Sequence, residues 1–84
     1  MIFNHMDRIV FAGDSVTDME SAQPVGEGLF ENVGKSYVRI VENMLSAFYP
    51  EVYIRVTNSG ISGNTSRDLL QRFDRDVVSL NPDW

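Results

Sequence analysis

Ser15 stands where a nucleophilic side chain could act. Residues 9–12 form a short apolar run of strand-forming residues, which stops at Gly13-Asp14-Ser15. In open parallel sheets, ligands gather at the carboxyl ends of the strands. A serine there can attack an acyl carbonyl if a base takes its proton and N–H donors hold the oxyanion. The sequence therefore makes Ser15 the candidate nucleophile for acyl transfer.

A second loop, Gly60-Ile61-Ser62-Gly63-Asn64, follows another strand-forming run. Because Gly63 has no side chain and precedes the start of a predicted helix, its N–H could approach a ligand closely. Ser62 does not complete the nucleophile-elbow pattern Gly-x-Ser-x-Gly, since residue 64 is asparagine. Asp14 is adjacent to Ser15, so it cannot readily orient a base, and we expect it to accept hydrogen bonds within its own loop.

The hydrophobic pattern predicts the order strand, helix, strand, helix, which indicates an α/β fold with parallel strands. The second strand is predicted over residues 52–56, ending in residues 57–60. Ser36 is the predicted N-cap of the first helix, and Thr65 or Ser66 caps the second. The first helix is predicted to bury Tyr37, Ile40, Val41, Met44, Leu45 and Phe48. The second is predicted to bury Leu69, Leu70, Phe73, Val77 and Leu80.

The charge balance favours a neutral substrate. The chain has 7 basic and 12 acidic side chains, a net charge of −5, and no basic residue between Arg8 and Lys35. Such a surface repels phosphates, so we expect neither nucleic acid nor an anionic membrane as a partner. The absence of cysteine and of a signal-peptide pattern leads us to expect a cytoplasmic protein.

Two blocks of the sequence resemble the SGNH/GDSL serine hydrolases. Residues 13–18 are similar to the first motif block of that family, and residues 58–65 to the second. Residues 24–28 and 81–84 resemble the branch that deacetylates xylo-oligosaccharides. The resemblance implies a three-layer α/β/α fold of flavodoxin-like order. Residues 1–84 would form the N-terminal part of that single domain, its first β-α-β-α portion.

The same resemblance implies a serine esterase that acts on small neutral esters, acetylated xylo-oligosaccharides in particular, through an acyl-serine intermediate. Ser15 would be the nucleophile, and the N–H groups of Ser15 and Gly63 would form the oxyanion hole. It implies no cofactor and no metal, and it allows a homo-oligomer. Because the family's Asp-x-x-His block has no counterpart here, we expect the 84 residues alone to be inactive. His5 is expected on the surface, at the amino end of the first strand.

Two alternatives remain open at this stage. A phosphohydrolase could use Asp14 as its nucleophile, but that signature requires an aspartate at position 16, which is valine, and a magnesium site. A non-catalytic binding or assembly module is the other alternative, since no base is placed near Ser15.

Overall fold

The computed structural model describes residues 2–23, 25–28 and 32–84. Of the motif predicted at residues 24–28, Pro24 lies outside the described residues. The elements are β1 (Arg8–Gly13), α1 (Ser15–Asp18), α2 (Tyr37–Phe48), β2 (Arg55–Gly60), α3 (Ser66–Asp76) and a short 3-10 helix (Val78–Leu80).

The strands β1 and β2 pair in parallel, as predicted, with Arg8 opposite Arg55 and Gly13 opposite Gly60. A crossover that contains α2 joins them, because parallel strands cannot be connected by a tight turn. The last residues of the two strands, Gly13 and Gly60, are paired, so the strands end side by side. The loops that carry Ser15 and Gly63 therefore leave the sheet at one edge.

The edge of β1 that faces away from β2 is hydrogen-bonded to Trp84. The Val10 N–H donates to the Trp84 carbonyl at 3.1 Å, and the Trp84 N–H donates to the Arg8 carbonyl at 3.2 Å. This pair of bonds is that of a parallel bridge. Residue 84 thus occupies the third position of the order 2-1-3 that flavodoxin-like sheets have.

The loop before α2 covers the other edge of β2. Gly26 forms an isolated antiparallel bridge with Asn58. The Glu27 carboxylate accepts bonds from the Thr57 hydroxyl at 3.0 Å and from the Arg8 guanidinium at 3.2 Å. Both edges of the strand pair are therefore occupied by other parts of the chain.

Helix caps follow the prediction because they depend on local chemistry. The Ser36 hydroxyl accepts the Val38 N–H at 3.2 Å. At α3, the Thr65 hydroxyl accepts the Asp68 N–H, and the Asp68 carboxylate accepts the Thr65 N–H, which completes a capping box. These bonds also hold the pKa of Asp68 below its ordinary value. Of the two caps predicted for α3, Thr65 is the one used.

The second strand begins later than predicted. Val52 belongs to a turn in which its N–H donates to the Tyr49 carbonyl, and β2 begins at Arg55. The polar residues 57–59, which were predicted only to end the strand, are paired and buried within it. Their side chains find partners elsewhere in the chain, and a local sequence pattern does not show such partners.

The helical apolar faces are only partly buried within the described residues, and the prediction that they are buried concerned a domain longer than these 84 residues. On α2, Val38 is fully buried and Leu45 packs on the core, but Ile40, Met44 and Phe48 are exposed. Among the described residues, two strands lie beneath this helix, and its apolar stripe is wider than the surface that they offer.

On α3, the difference between the predicted and the observed buried face is larger. Leu70 is 76% exposed and Phe73 is 39% exposed, whereas Val77 is buried as expected. The charged residue Arg72 is buried in the face that the pattern assigned to apolar side chains. The core cluster itself consists of Ile9, Val33, Val38, Ile54 and Val56.

We expect Asn58→Ala to lower the free energy of unfolding by about 2 kcal/mol, because it leaves buried main-chain groups without hydrogen-bond partners. The Asn58 amide donates to the carbonyls of Thr17 at 2.6 Å and Val33 at 2.8 Å, and it accepts the Gly60 N–H at 2.9 Å. Urea denaturation of the intact protein measures the loss. Asn43→Ala, an exposed change on α2, is the control and should stay within about 0.5 kcal/mol of wild type. Equal midpoints for the two variants would contradict the prediction.

Candidate functional site

Ser15 is the first residue of α1 and is exposed. Asp14 caps this short helix: its carboxylate accepts the Val16 N–H at 3.1 Å. The Asp14 carbonyl accepts the N–H groups of Thr17 at 3.1 Å and Asp18 at 2.9 Å. The chain thus turns sharply after β1 and presents Ser15 to the solvent.

The opposite side of α1 is anchored to the interior through Thr17, which is buried. Its hydroxyl lies 2.9 Å from the Tyr37 hydroxyl, and its carbonyl accepts bonds from Ser36 at 2.7 Å and Asn58 at 2.6 Å. A Cβ added at Gly13 would lie 2.6 Å from the Thr17 hydroxyl oxygen. Glycine at position 13 therefore allows the nucleophile turn to pack tightly against the strand it leaves.

The ends of the two strands are in direct backbone contact with the turn. A Cβ on Gly60 would lie 2.6 Å from the Asp18 nitrogen and 3.0 Å from the Asp14 carbonyl oxygen. The Ile61 N–H donates to the Gly13 carbonyl at 3.0 Å. The second loop therefore begins against the backbone of α1.

Asp18 ties the second loop to α1. Its carboxylate accepts the N–H of Ser62 at 3.3 Å, the hydroxyl of Ser62 at 3.0 Å and the hydroxyl of Ser21 at 2.5 Å. Burial raises the pKa of Asp18, but the hydrogen bonds from Ser21 and Ser62 outweigh it, so this pKa lies below its ordinary value. Ser62 therefore holds the second loop against α1.

Gly63 has a φ of +82°, a left-handed conformation that favours glycine, and a Cβ added there would meet no heavy atom within 4 Å. Its loop is closed by the Asn64 N–H, which donates to the Ile61 carbonyl at 3.2 Å. Across residues 2–23, 25–28 and 32–84, the N–H groups of Ser15 and Gly63 have no acceptor. These two donors are available to a ligand.

A cavity of about 230 Å³ lies between the two loops, lined by Gly13, Asp14, Asn64, Thr65, Ser66 and Leu69. Larger concavities lie elsewhere, one of about 520 Å³ along α2 among them. The small cavity borders the nucleophile turn through Gly13 and Asp14, and neither Ser15 nor Gly63 is among its lining residues.

His5 lies at the other end of β1 from Ser15. Its Nδ1 accepts the Tyr53 N–H at 3.0 Å, and the side chain is exposed. In the described part of the chain, no group of three or more histidine, cysteine, aspartate or glutamate side chains could hold a metal ion. Within that part there is also no helix with the length and apolar character needed to cross a membrane.

Sequence reasoning missed two buried polar residues that hold the site, Asn58 and Arg72. A polar residue inside a strand-forming run was the available signal for Asn58. For Arg72 it was a charge lying between Leu69 and Phe73 on the apolar face of a predicted helix.

The chain is 51% identical over 78 residues to an acetylxylan esterase from Geobacillus stearothermophilus, a match that covers 93% of the chain and 36% of that protein. A solved structure of a catalytic mutant of that enzyme has a TM-score of 0.97 and 49% identity, covering all of this chain and 38% of the other. The predicted resemblance to enzymes that deacetylate xylan is confirmed. No protein-family model matches the chain.

The α/β fold class is confirmed by the same comparison and by a second solved structure. An α/β hydrolase from the metagenome of Lake Arreo in Spain has a TM-score of 0.90 and 43% identity, covering 96% of this chain and 38% of that one. The chain thus spans little more than a third of the length of these relatives. Solved catalytic mutants of the Geobacillus esterase replace a serine, an aspartate or a histidine with alanine.

We expect the stabilisation supplied by Asp18 to depend on pH. Since its folded pKa lies below the ordinary value of 3.8, that stabilisation is present above the ordinary pKa and is lost as pH falls through the folded pKa. Asp18→Asn should therefore denature at lower urea than wild type at neutral pH, with the gap closing progressively below about pH 5.

Denaturation midpoints of the intact protein across this pH range provide the measurement. Asp74→Asn, an exposed change on α3, is the matched control. A gap between Asp18→Asn and wild type that stays constant with pH would show that the charge of Asp18 is not what stabilises the loop.

Proposed function

We propose that the intact protein is a serine esterase of the SGNH class that removes acetyl groups from acetylated xylo-oligosaccharides, with Ser15 as its nucleophile. The observation that carries the proposal is the exposed Ser15 at the start of α1, directly after β1, in a chain that is half identical to an acetylxylan esterase. The second loop carries the N–H of Gly63, which has no acceptor among the described residues, at the same end of the sheet.

In the proposed reaction, the Ser15 oxygen attacks the acetyl carbonyl and loses its proton to a base. The bond between the acetyl carbon and the sugar oxygen breaks, and the sugar oxygen takes up that proton. Water then attacks the acetyl-serine, releases acetate and restores the hydroxyl. The N–H groups of Ser15 and Gly63 would stabilise the negative oxygen in both steps, because donors that are already in place cost no reorganisation during the reaction.

The base is proposed to be a histidine of the intact enzyme other than His5, which lies at the far end of β1. The catalytic mutants of the Geobacillus esterase, at a serine, an aspartate and a histidine, support such a triad. An unassisted serine hydroxyl is a weak nucleophile at neutral pH. We therefore propose that residues 1–84 alone hydrolyse esters only at the background rate.

A neutral substrate fits the charges around the site. Asp14 is adjacent to the nucleophile, Asp18 ends α1, and Glu20 is the next acidic residue. These carboxylates would repel a phosphate ester but not an acetylated sugar. The proposed reaction needs no cofactor.

Ser15→Ala in the intact protein should lower kcat on 4-nitrophenyl acetate by a factor on the order of 10⁶, because the covalent intermediate can no longer form. Ser46→Ala, an exposed change on α2, is the matched control and should keep wild-type kcat. A fluorophosphonate probe followed by peptide mass spectrometry should label Ser15. Labelling of Ser62 in its place would overturn the assignment.

Gly63→Val should lower kcat by roughly 100-fold or more, because a branched side chain strains the left-handed backbone and displaces an oxyanion donor. Gly63→Asn is the comparison, since asparagine tolerates this conformation better and should retain more activity. Steady-state kinetics and thermal denaturation of both variants separate loss of the donor from loss of folding. Full activity of Gly63→Val would show that this N–H is not used.

A further inference from the structure

The guanidinium of Arg72 is a buried cross-link between the two loops of the candidate site. The residue lies on α3 and is only 7% exposed. Its Nε donates to the Asn64 side-chain oxygen at 2.6 Å, and one Nη donates to the Gly13 carbonyl at 3.2 Å. The other Nη lies 3.3 Å from both the Ser59 hydroxyl and the Asp76 carboxylate.

Two of these partners are close neighbours of the proposed oxyanion donors. Asn64 directly follows Gly63, and Gly13 is two residues before Ser15. The Gly13 carbonyl also accepts the Ile61 N–H at 3.0 Å, so it holds the start of the second loop as well. The same guanidinium therefore bonds the backbone two residues before Ser15 and the side chain of the residue that follows Gly63.

Arginine suits this task because its planar group offers five donors in a fixed geometry. Its charge is balanced inside the fold by Asp76, one turn further along α3, at 3.3 Å. A lysine would keep the charge near Asp76, but it could not bond Asn64 and Gly13 in the same arrangement.

We propose that Arg72 is a positioning residue of the esterase, which sets the N–H of Gly63 relative to the N–H and hydroxyl of Ser15. This inference rests on the proposed function. Arg72 touches neither donor, so it acts through Asn64 and Gly13. Misplacing a catalytic group by about 1 Å can cost roughly 100-fold in rate, and the loss falls on kcat because the oxyanion exists only during the reaction.

The test compares Arg72→Met, Arg72→Lys and Arg75→Met in the intact protein. Arg75 is an exposed arginine of the same helix and also bonds Asp76, so it is the matched control. We expect Arg72→Met to lower kcat on 4-nitrophenyl acetate by roughly 10- to 100-fold with KM changed less than about threefold, and Arg75→Met to keep wild-type kcat.

Arg72→Lys separates positioning from general stability. It should recover most of the thermal stability lost in Arg72→Met, because the charge pair with Asp76 is retained, while its kcat should stay depressed by at least about fivefold. If kcat recovers together with stability, Arg72 has a structural role alone and the proposal is overturned.

A double-mutant cycle tests whether Arg72 acts on kcat through Asn64. It does not use Arg72→Met, so it can be measured even if that variant does not fold. Asn64→Ala removes the partner next to Gly63, so it should lower kcat as well, and Arg72→Lys combined with Asn64→Ala should cost less than the product of the two single losses. Independent effects would overturn the proposed route through Asn64.

The outcome for the wild-type protein distinguishes the two proposals. If wild type hydrolyses the ester and Arg72→Met has unchanged kcat, the positioning role is wrong while the esterase assignment stands. If wild type neither hydrolyses esters nor reacts with a fluorophosphonate at Ser15, the function is overturned and the positioning role with it.

Discussion

The buried side chain of Asn58 is the constraint on which the geometry of this molecule depends. An amide that is 1% exposed must find its hydrogen bonds inside the protein. Asn58 does so with the carbonyls of Thr17 and Val33 and with the N–H of Gly60. These partners belong to α1, to the loop before α2 and to the end of β2. The position of the nucleophile turn is therefore set by a residue on the neighbouring strand.

Three glycines shape the site for two different physical reasons. Gly13 and Gly60 are needed because a Cβ at either position would lie 2.6 Å from an atom of α1, the Thr17 side-chain hydroxyl at Gly13 and the Asp18 backbone nitrogen at Gly60. Gly63 has open space around its Cβ position but a φ of +82°. The first two allow the loops to approach each other, and the third turns the chain at a residue whose N–H has no acceptor in the described part of the chain.

Much of this arrangement could be predicted from sequence, wherever the cause is local. The turn after β1 and the caps at Ser36 and Thr65 depend on residues only a few positions apart, and they are found as expected. The start of β2 depends on distant partners, and there the prediction is wrong. Asn58 and Arg72 were missed for this reason: Thr17 lies 41 residues from Asn58, and Gly13 lies 59 residues from Arg72.

Polar side chains, rather than apolar ones, connect the two loops. The core cluster of five buried residues is aliphatic and belongs to the strand pair, α2 and the segments before them. Hydrophobic contacts are non-directional. Such a core therefore holds the sheet against α2, but it only weakly specifies the position of one loop relative to the other. The hydrogen bonds that the Asp18 carboxylate accepts and the Arg72 guanidinium donates are directional, and they supply what the core does not. Neither side chain is among the residues that line the cavity between the loops, so both can set the spacing of the two N–H donors without filling that cavity.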